Sequence, residues 1–203
     1  MKLFQKVNMA SETIHSAMRS GVVFAGSTKV AGEPGDLVVP TGLAESDVYT
    51  GKKDFNTFVF KAPVSANATD WKDRNLMILD PVKVPTAKNG DLVYRMGVKT
   101  LGLAGEEGEV VAARKLFLND QFLLGLDNLE KKDTTEVPSL ADVKIGDYYT
   151  ATGSNKFTHK NIDPETLATK ECYVVRVEDK VKISQGVGSV GVVDAILVTV
   201  VSL

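Results

Sequence analysis

The chain has 203 residues, 43% of them hydrophobic and 25% charged, a globular composition that sets aside a disordered tail, a collagen-like fibre and a membrane protein. Its 24 basic and 26 acidic residues leave a net charge of −2, so no strong field points toward nucleic acid or an anionic membrane. The single cysteine, Cys172, excludes an internal disulfide framework and a multi-cysteine metal site.

In chain order, residues 1–20 give the best helical candidate. Leu3, Val7, Ala10, Ile14, Ala17 and Met18 recur at three- and four-residue spacing, which puts them on one helical face. This segment reads as an arm or helix that either packs on its own domain or docks on a partner subunit. The N-terminal charge is followed by no apolar run long enough for a secretory signal, so a soluble protein made in a cytoplasm is expected.

From residue 21 to 203 the pattern is that of one β-rich domain. Val22–Ala25, Asp36–Val39, Asn56–Phe60, Leu76–Leu79, Leu92–Tyr94, Asp147–Thr150, Tyr173–Val177 and Ala195–Val201 are short runs of strand-formers. Gly, Pro, Asn and Asp separate them, and Asn89-Gly90 suits a tight turn. Val110–Leu118 reads as weakly helical or mixed. The polar stretch 130–138 either breaks the domain into two subdomains or is a long surface loop, and the loop is preferred. The expected architecture is a β-barrel or β-sandwich with a short N-terminal helical arm.

An internal echo runs through this domain. Gly35-Asp36-Leu37-Val38, Gly90-Asp91-Leu92-Val93 and Gly146-Asp147-Tyr148-Tyr149 each place Gly-Asp before two strand-formers, with Gly42, Gly97 and Gly153 closing the units. The Gly takes a turn conformation closed to other residues, and the Asp carboxylate can accept backbone N–H bonds. These read as three hairpin entries rather than as a repeated unit.

The motifs that would carry chemistry lack their context. Gly186-Val187-Gly188-Ser189-Val190-Gly191 has the dinucleotide spacing, but a strand-like run follows where a helix N-terminus is required. Gly21 to Lys29 outlines a phosphate loop without the Lys that should precede Ser27, and reads as a turn between strands. His15 and His159 form no metal-ligand spacing with each other or with Cys172, and His159 sits in a polar stretch read as a loop. A Cys172–His159 pair would be the one nucleophilic arrangement, yet Cys172 at the start of a strand reads as an inert buried thiol. Glu106, Glu107 and Glu109 lack the alternating ligands of a calcium loop, and Asp70, Asp73 and Asp80 are too dispersed for an acid–base pair. Trp71, Phe55, Phe58 and Phe60 would make either a sugar-stacking face or, at β spacing, core. No catalytic, cofactor or metal residue is nominated, and an enzyme is not expected.

The N-terminal segment Leu3–Arg19, the unit Gly35–Gly42 and the run Gly146–Thr158 together resemble tailed-bacteriophage virion proteins, above all capsid decoration (head auxiliary or cement) proteins. The resemblance is one of texture over most of the chain and carries over no functional residue. It implies a virion structural protein of β-barrel or β-sandwich fold, binding the outer surface of a capsid and bridging neighbouring capsomers. Its partner would be the major capsid protein and its self-association trimeric, with neither nucleic acid nor membrane bound. The alternative reading is a carbohydrate-binding or tail- or neck-associated adhesion module.

Overall fold

A computed structural model describes residues 2–9, 17–45, 51–63, 76–80, 107–132, 134–151, 153–161, 173–184 and 192–203. Strands fill 58% of these residues and no helix among them reaches seven residues, so the chain is mainly β. The strands are β1 (Phe4–Asn8), β2 (Met18–Ala25), β3 (Thr28–Lys29), β4 (Leu37–Glu45), β5 (Lys53–Lys61), β6 (Met77–Leu79) and β7 (Val111–Arg114). They continue with β8 (Gln121–Gly125), β9 (Leu129–Glu130), β10 (Tyr148–Ala151), β11 (Phe157–Lys160), β12 (Val174–Ser184) and β13 (Val192–Ser202).

Two sheets result. One has seven strands in the order β1-β8-β13-β12-β10-β11-β9, and the other six in the order β3-β2-β5-β4-β6-β7. In the second, β2 also pairs antiparallel with β7, from Met18↔Arg114 to Gly21↔Val111. The ladder β2-β5-β4-β6-β7 thereby returns to β2 and closes a ring, with β3 attached to the far end of β2.

Strand alternation sorts the apolar residues into two clusters. Val38, Phe60, Met77, Leu79, Val111 and Ala113 gather as the smaller one, contributed by four ring strands. Leu37 and Val39, the neighbours of Val38, instead join Leu76 and Ile78 in a larger cluster with Phe4, Phe122, Leu124, Tyr149, Phe157, Val175, Ile196 and Val198 of the seven-stranded sheet. The start of β4 (Leu37–Val39) and β6 are therefore buried on both faces. That is why they read as unbroken apolar runs and not as alternating ones.

Three local features fix this arrangement. Pro40 has no N–H to give, and it lies past the reach of β6, which pairs only with Leu37 and Val38. A Cβ on Gly21 would come within 2.6 Å of the Phe58 carbonyl and the Phe60 ring, so glycine lets Phe60 fill its place. Tyr173 holds φ at 57°, a costly conformation for a bulky residue. Its buried hydroxyl donates to the Leu76 carbonyl and accepts from the Leu116 N–H, tying the start of β12 to the ring.

The helical arm over residues 1–20 is not seen, since β1 and the start of β2 occupy its described parts. The adjacent Leu3 and Phe4 are both buried, while Val7, which the helical spacing put on the same face as Leu3, is exposed. Phe4 also packs on Phe122, with ring centroids 5.3 Å apart. Removing residues 1–20 would take away β1 and part of β2, so this segment is no detachable arm. Val110–Leu118 likewise holds strand β7 and not a helix, Gly21 lies inside β2, and His159 lies on β11. Of the three hairpin entries, Gly35 and Gly146 do adopt positive φ (83° and 91°). Asp147 accepts the Lys144 N–H at 2.7 Å as expected, whereas Asp36 is engaged by side chains. The Gly90 copy and the strand expected at Leu92–Tyr94 lie outside the described residues.

Candidate functional site

The ring has one side turned to the larger cluster through β4 and β6. Away from that side, on β2, β5 and the end of β4, an open groove of about 710 Å³ is lined by Val22, Phe24, Leu43 and Val59. Lys29, Lys53, Lys61, Glu45 and Asp54 stand around these apolar residues. Both charge signs are present, and Lys53 pairs loosely with Glu45 at 3.5 Å.

At one end of this region β5 begins with a side-chain-built turn. Asp54 accepts the Asn56 N–H at 2.9 Å and the Thr57 hydroxyl at 2.6 Å, and these bonds hold its carboxyl below the ordinary carboxylate range. Between them Phe55 stands 85% exposed, while Phe60 at the other end of the strand is fully buried. The aromatic trio of the sequence is thus split. Phe60 is core, Phe58 packs partly against the same cluster, and Phe55 faces solvent. A phenyl ring this exposed contributes little to the fold.

A second, smaller concavity of about 440 Å³ lies beside Phe58, Met77 and Pro40, where the Arg19 guanidinium sits 6.0 Å from the Phe58 ring centroid.

Between the two sheets lies a charged seam. Arg114 is 1% exposed and forms a two-pronged ion pair with Asp80, its Nε donating to Oδ1 at 2.6 Å and its Nη2 to Oδ2. Lys6 of β1 approaches the same carboxylate at 3.5 Å. Lys2, just before β1, lies 2.7 Å from both Asp36 and Glu33, and Asn155 donates to the other Asp36 oxygen at 3.1 Å. Burial pushes the Asp36 carboxyl up to about 6 against the opposing pull of Lys2. Asp80 is therefore one half of a structural ion pair, and among the described residues its charged partners are Arg114 and Lys6.

His159 lies with Nε2 3.8 Å from Asp147, its ring edge-on to Tyr149 at 5.3 Å. Burial, reinforced by Asp147 and Asp142, raises the Tyr149 phenol above its ordinary range, so it stays protonated. Cys172, the candidate nucleophile beside His159, is outside the described residues, as are His15, Asp70, Trp71, Asp73, Glu106 and the glycines 186–191. Among the described residues no group of three His, Cys, Asp or Glu is placed to hold a metal, and no helix is long and apolar enough to cross a membrane.

Sequence reasoning missed the groove and the seam. Phe55 was in view only as one of several aromatics. The sequence carries no signal that sets Phe55 apart, because the pairing of β5 shifts register between Lys53 and Phe58. No family model, curated protein or solved structure matches this chain.

Proposed function

We propose that this chain is a structural protein of a tailed-phage virion, a decoration protein that binds the outside of a capsid and bridges neighbouring capsomers. The observation that carries the reading is Phe55, 85% exposed and next in sequence to Asp54, which lines a groove of mixed polarity on β2, β5 and the end of β4. The closed pairing of the ring favours a small barrel packed on an open sheet, a rigid platform for such a surface. Its action would be binding energy alone, with no catalysis. A modest contact per subunit, multiplied by trimeric self-association and by the symmetry of a shell, yields strong retention. The partner surface would be the major capsid protein, and the location the virion, after assembly in a host cytoplasm.

The test is sedimentation of the protein with megadalton particles from its native source. Hundreds of copies per particle support the reading, tens or fewer point to a neck or tail position, and a wholly soluble protein contradicts it. Phe55 also favours the second reading, a carbohydrate-binding or adhesion module, because an exposed ring can stack on a sugar. Saturable binding on a glycan array, abolished by Phe55→Ala, would select that alternative.

A further inference from the structure

The clustering of Lys2, Glu33, Asp36 and Asn155 between the sheets serves no purpose in the proposed binding surface. Three separate parts of the chain meet there: the residue before β1, the loop leading into β4, and the loop leading into β11. Asp36 is 6% exposed, so its carboxylate is held mostly away from water. The Lys2 ammonium sits at equal distance, 2.7 Å, from Asp36 and Glu33.

The same place anchors the N-terminal backbone. The Leu3 N–H donates to Asn128 Oδ1 at 2.9 Å, and the Gly125 N–H donates to the Leu3 carbonyl at 2.9 Å. Asn128 in turn donates to the Pro34 carbonyl, two residues from Asp36. The hold on Lys2 is thus a hold on the first turn of chain that enters the seven-stranded sheet.

We propose that this cluster is an acid-sensitive latch, in which ionised Asp36 fastens the start of β1 to the ring and protonated Asp36 lets it loosen. With Asp36 ionised, Lys2 is shared by two carboxylates. Once Asp36 takes up a proton, Lys2 keeps Glu33 alone, and Glu33 is half exposed and screened by water. Among the described residues the charged groups acting on Asp36 are Lys2 and Glu33, and Asn155 is its neutral donor. Burial by itself would lower the Lys2 ammonium, yet Asp36 and Glu33 raise it, so Lys2 stays charged throughout. Burial pushes the Asp36 carboxyl to about 6, which places the change in mildly acidic water instead of near pH 4. Asp36 stays covered when Lys2 swings away, because the Asp36 and Leu37 backbone is bonded to Leu79 and Asn155.

The experiment is amide hydrogen exchange at Leu3 and Gly125 from pH 7 to pH 5, corrected for intrinsic rates, with the Asp36 carboxyl carbon followed by NMR. The latch predicts an Asp36 midpoint near 6 and a several-fold loss of protection at both amides across it. Amides of the β12–β13 hairpin should hold steady. Asp36→Asn should show the loosened rates at every pH. If that variant does not fold, Lys2→Met serves instead, with the same pH-independent loosening and a higher Asp36 midpoint. Protection that stays constant while Asp36 titrates, or an Asp36 midpoint near 4, would overturn the proposal.

Discussion

The two sides of the ring are built by the same rule and put to opposite uses. On β4 and β6, the outward residues Leu37, Val39 and Ile78 are fully covered by the seven-stranded sheet, and ion pairs to Lys2 and Lys6 border that contact. On β2 and β5, the outward residues Phe24 and Val59 line an open groove, and Phe55 stands in solvent. One side is committed to stability, so change there should be felt in folding. The other contributes little to folding, so change there should be felt in binding.

The largest expected effect is on the covered side. Arg114→Met removes the two-pronged buried partner of Asp80 and leaves its charge only the looser Lys6 contact at 3.5 Å, which should cost about 3 kcal/mol in urea unfolding. A loss under about 1 kcal/mol would mean that water reaches the pair and that the seam is not buried.

Asp36 gives a smaller effect with a sign. Its folded carboxyl sits at about 6 against an ordinary 3.8, so the folded state holds the proton more tightly than the unfolded chain does. Stability contributed by this group is therefore greatest in acid, and it declines as pH rises through this interval by about 3 kcal/mol. Asp54 and Asp142 are shifted the other way by their hydrogen bonds, so their contribution is lost in acid. Both are common to wild type and Asp36→Asn. The difference in unfolding free energy between those two proteins, measured at pH 4, 5, 6 and 7, should fall as pH rises. A flat difference would refute the buried-carboxylate account.

Thr150 should give a gain. Its buried hydroxyl has no hydrogen-bond partner among the described residues, so Thr150→Val should stabilise by about 1 kcal/mol, read as a raised urea midpoint at unchanged slope. On the open side, Phe55→Ala should change stability by less than about 0.5 kcal/mol. A cost as large as that of a core phenylalanine would show that Phe55 packs in solution and that the two sides are not distinct.

Much of the β content was legible because burial leaves a mark on composition. Leu37–Val39, within the run read from Asp36, and Leu76–Leu79 are unbroken apolar runs for the reason that both their faces are covered, and both were read as strands. β1 was misread because Leu3 and Val7 satisfy helical spacing, whereas the sheet buries the adjacent Leu3 and Phe4 and leaves Val7 exposed. β8 and β11 went unread; Phe157–Lys160 mixes one buried residue with three more exposed ones, and so looks like a loop. The candidate site was less legible still. An exposed Phe55 and a buried Phe60 are the same letter in the sequence. The ion pair Lys2–Asp36 joins residues that only the meeting of two sheets brings together, and Asp80–Arg114 joins residues that only the β6–β7 pairing does.

The central claim is that the open side of the ring is where the protein meets its partner. The direct measurement is co-sedimentation of purified wild type and Phe55→Asp with megadalton particles from the native source, alongside thermal unfolding of both. The account predicts equal melting, retention of wild type, and a loss of at least about tenfold in retention for the variant, as expected when an aromatic anchor worth 1.4 kcal/mol or more is removed. Retention of Phe55→Asp at the wild-type level, with the fold intact, would contradict it.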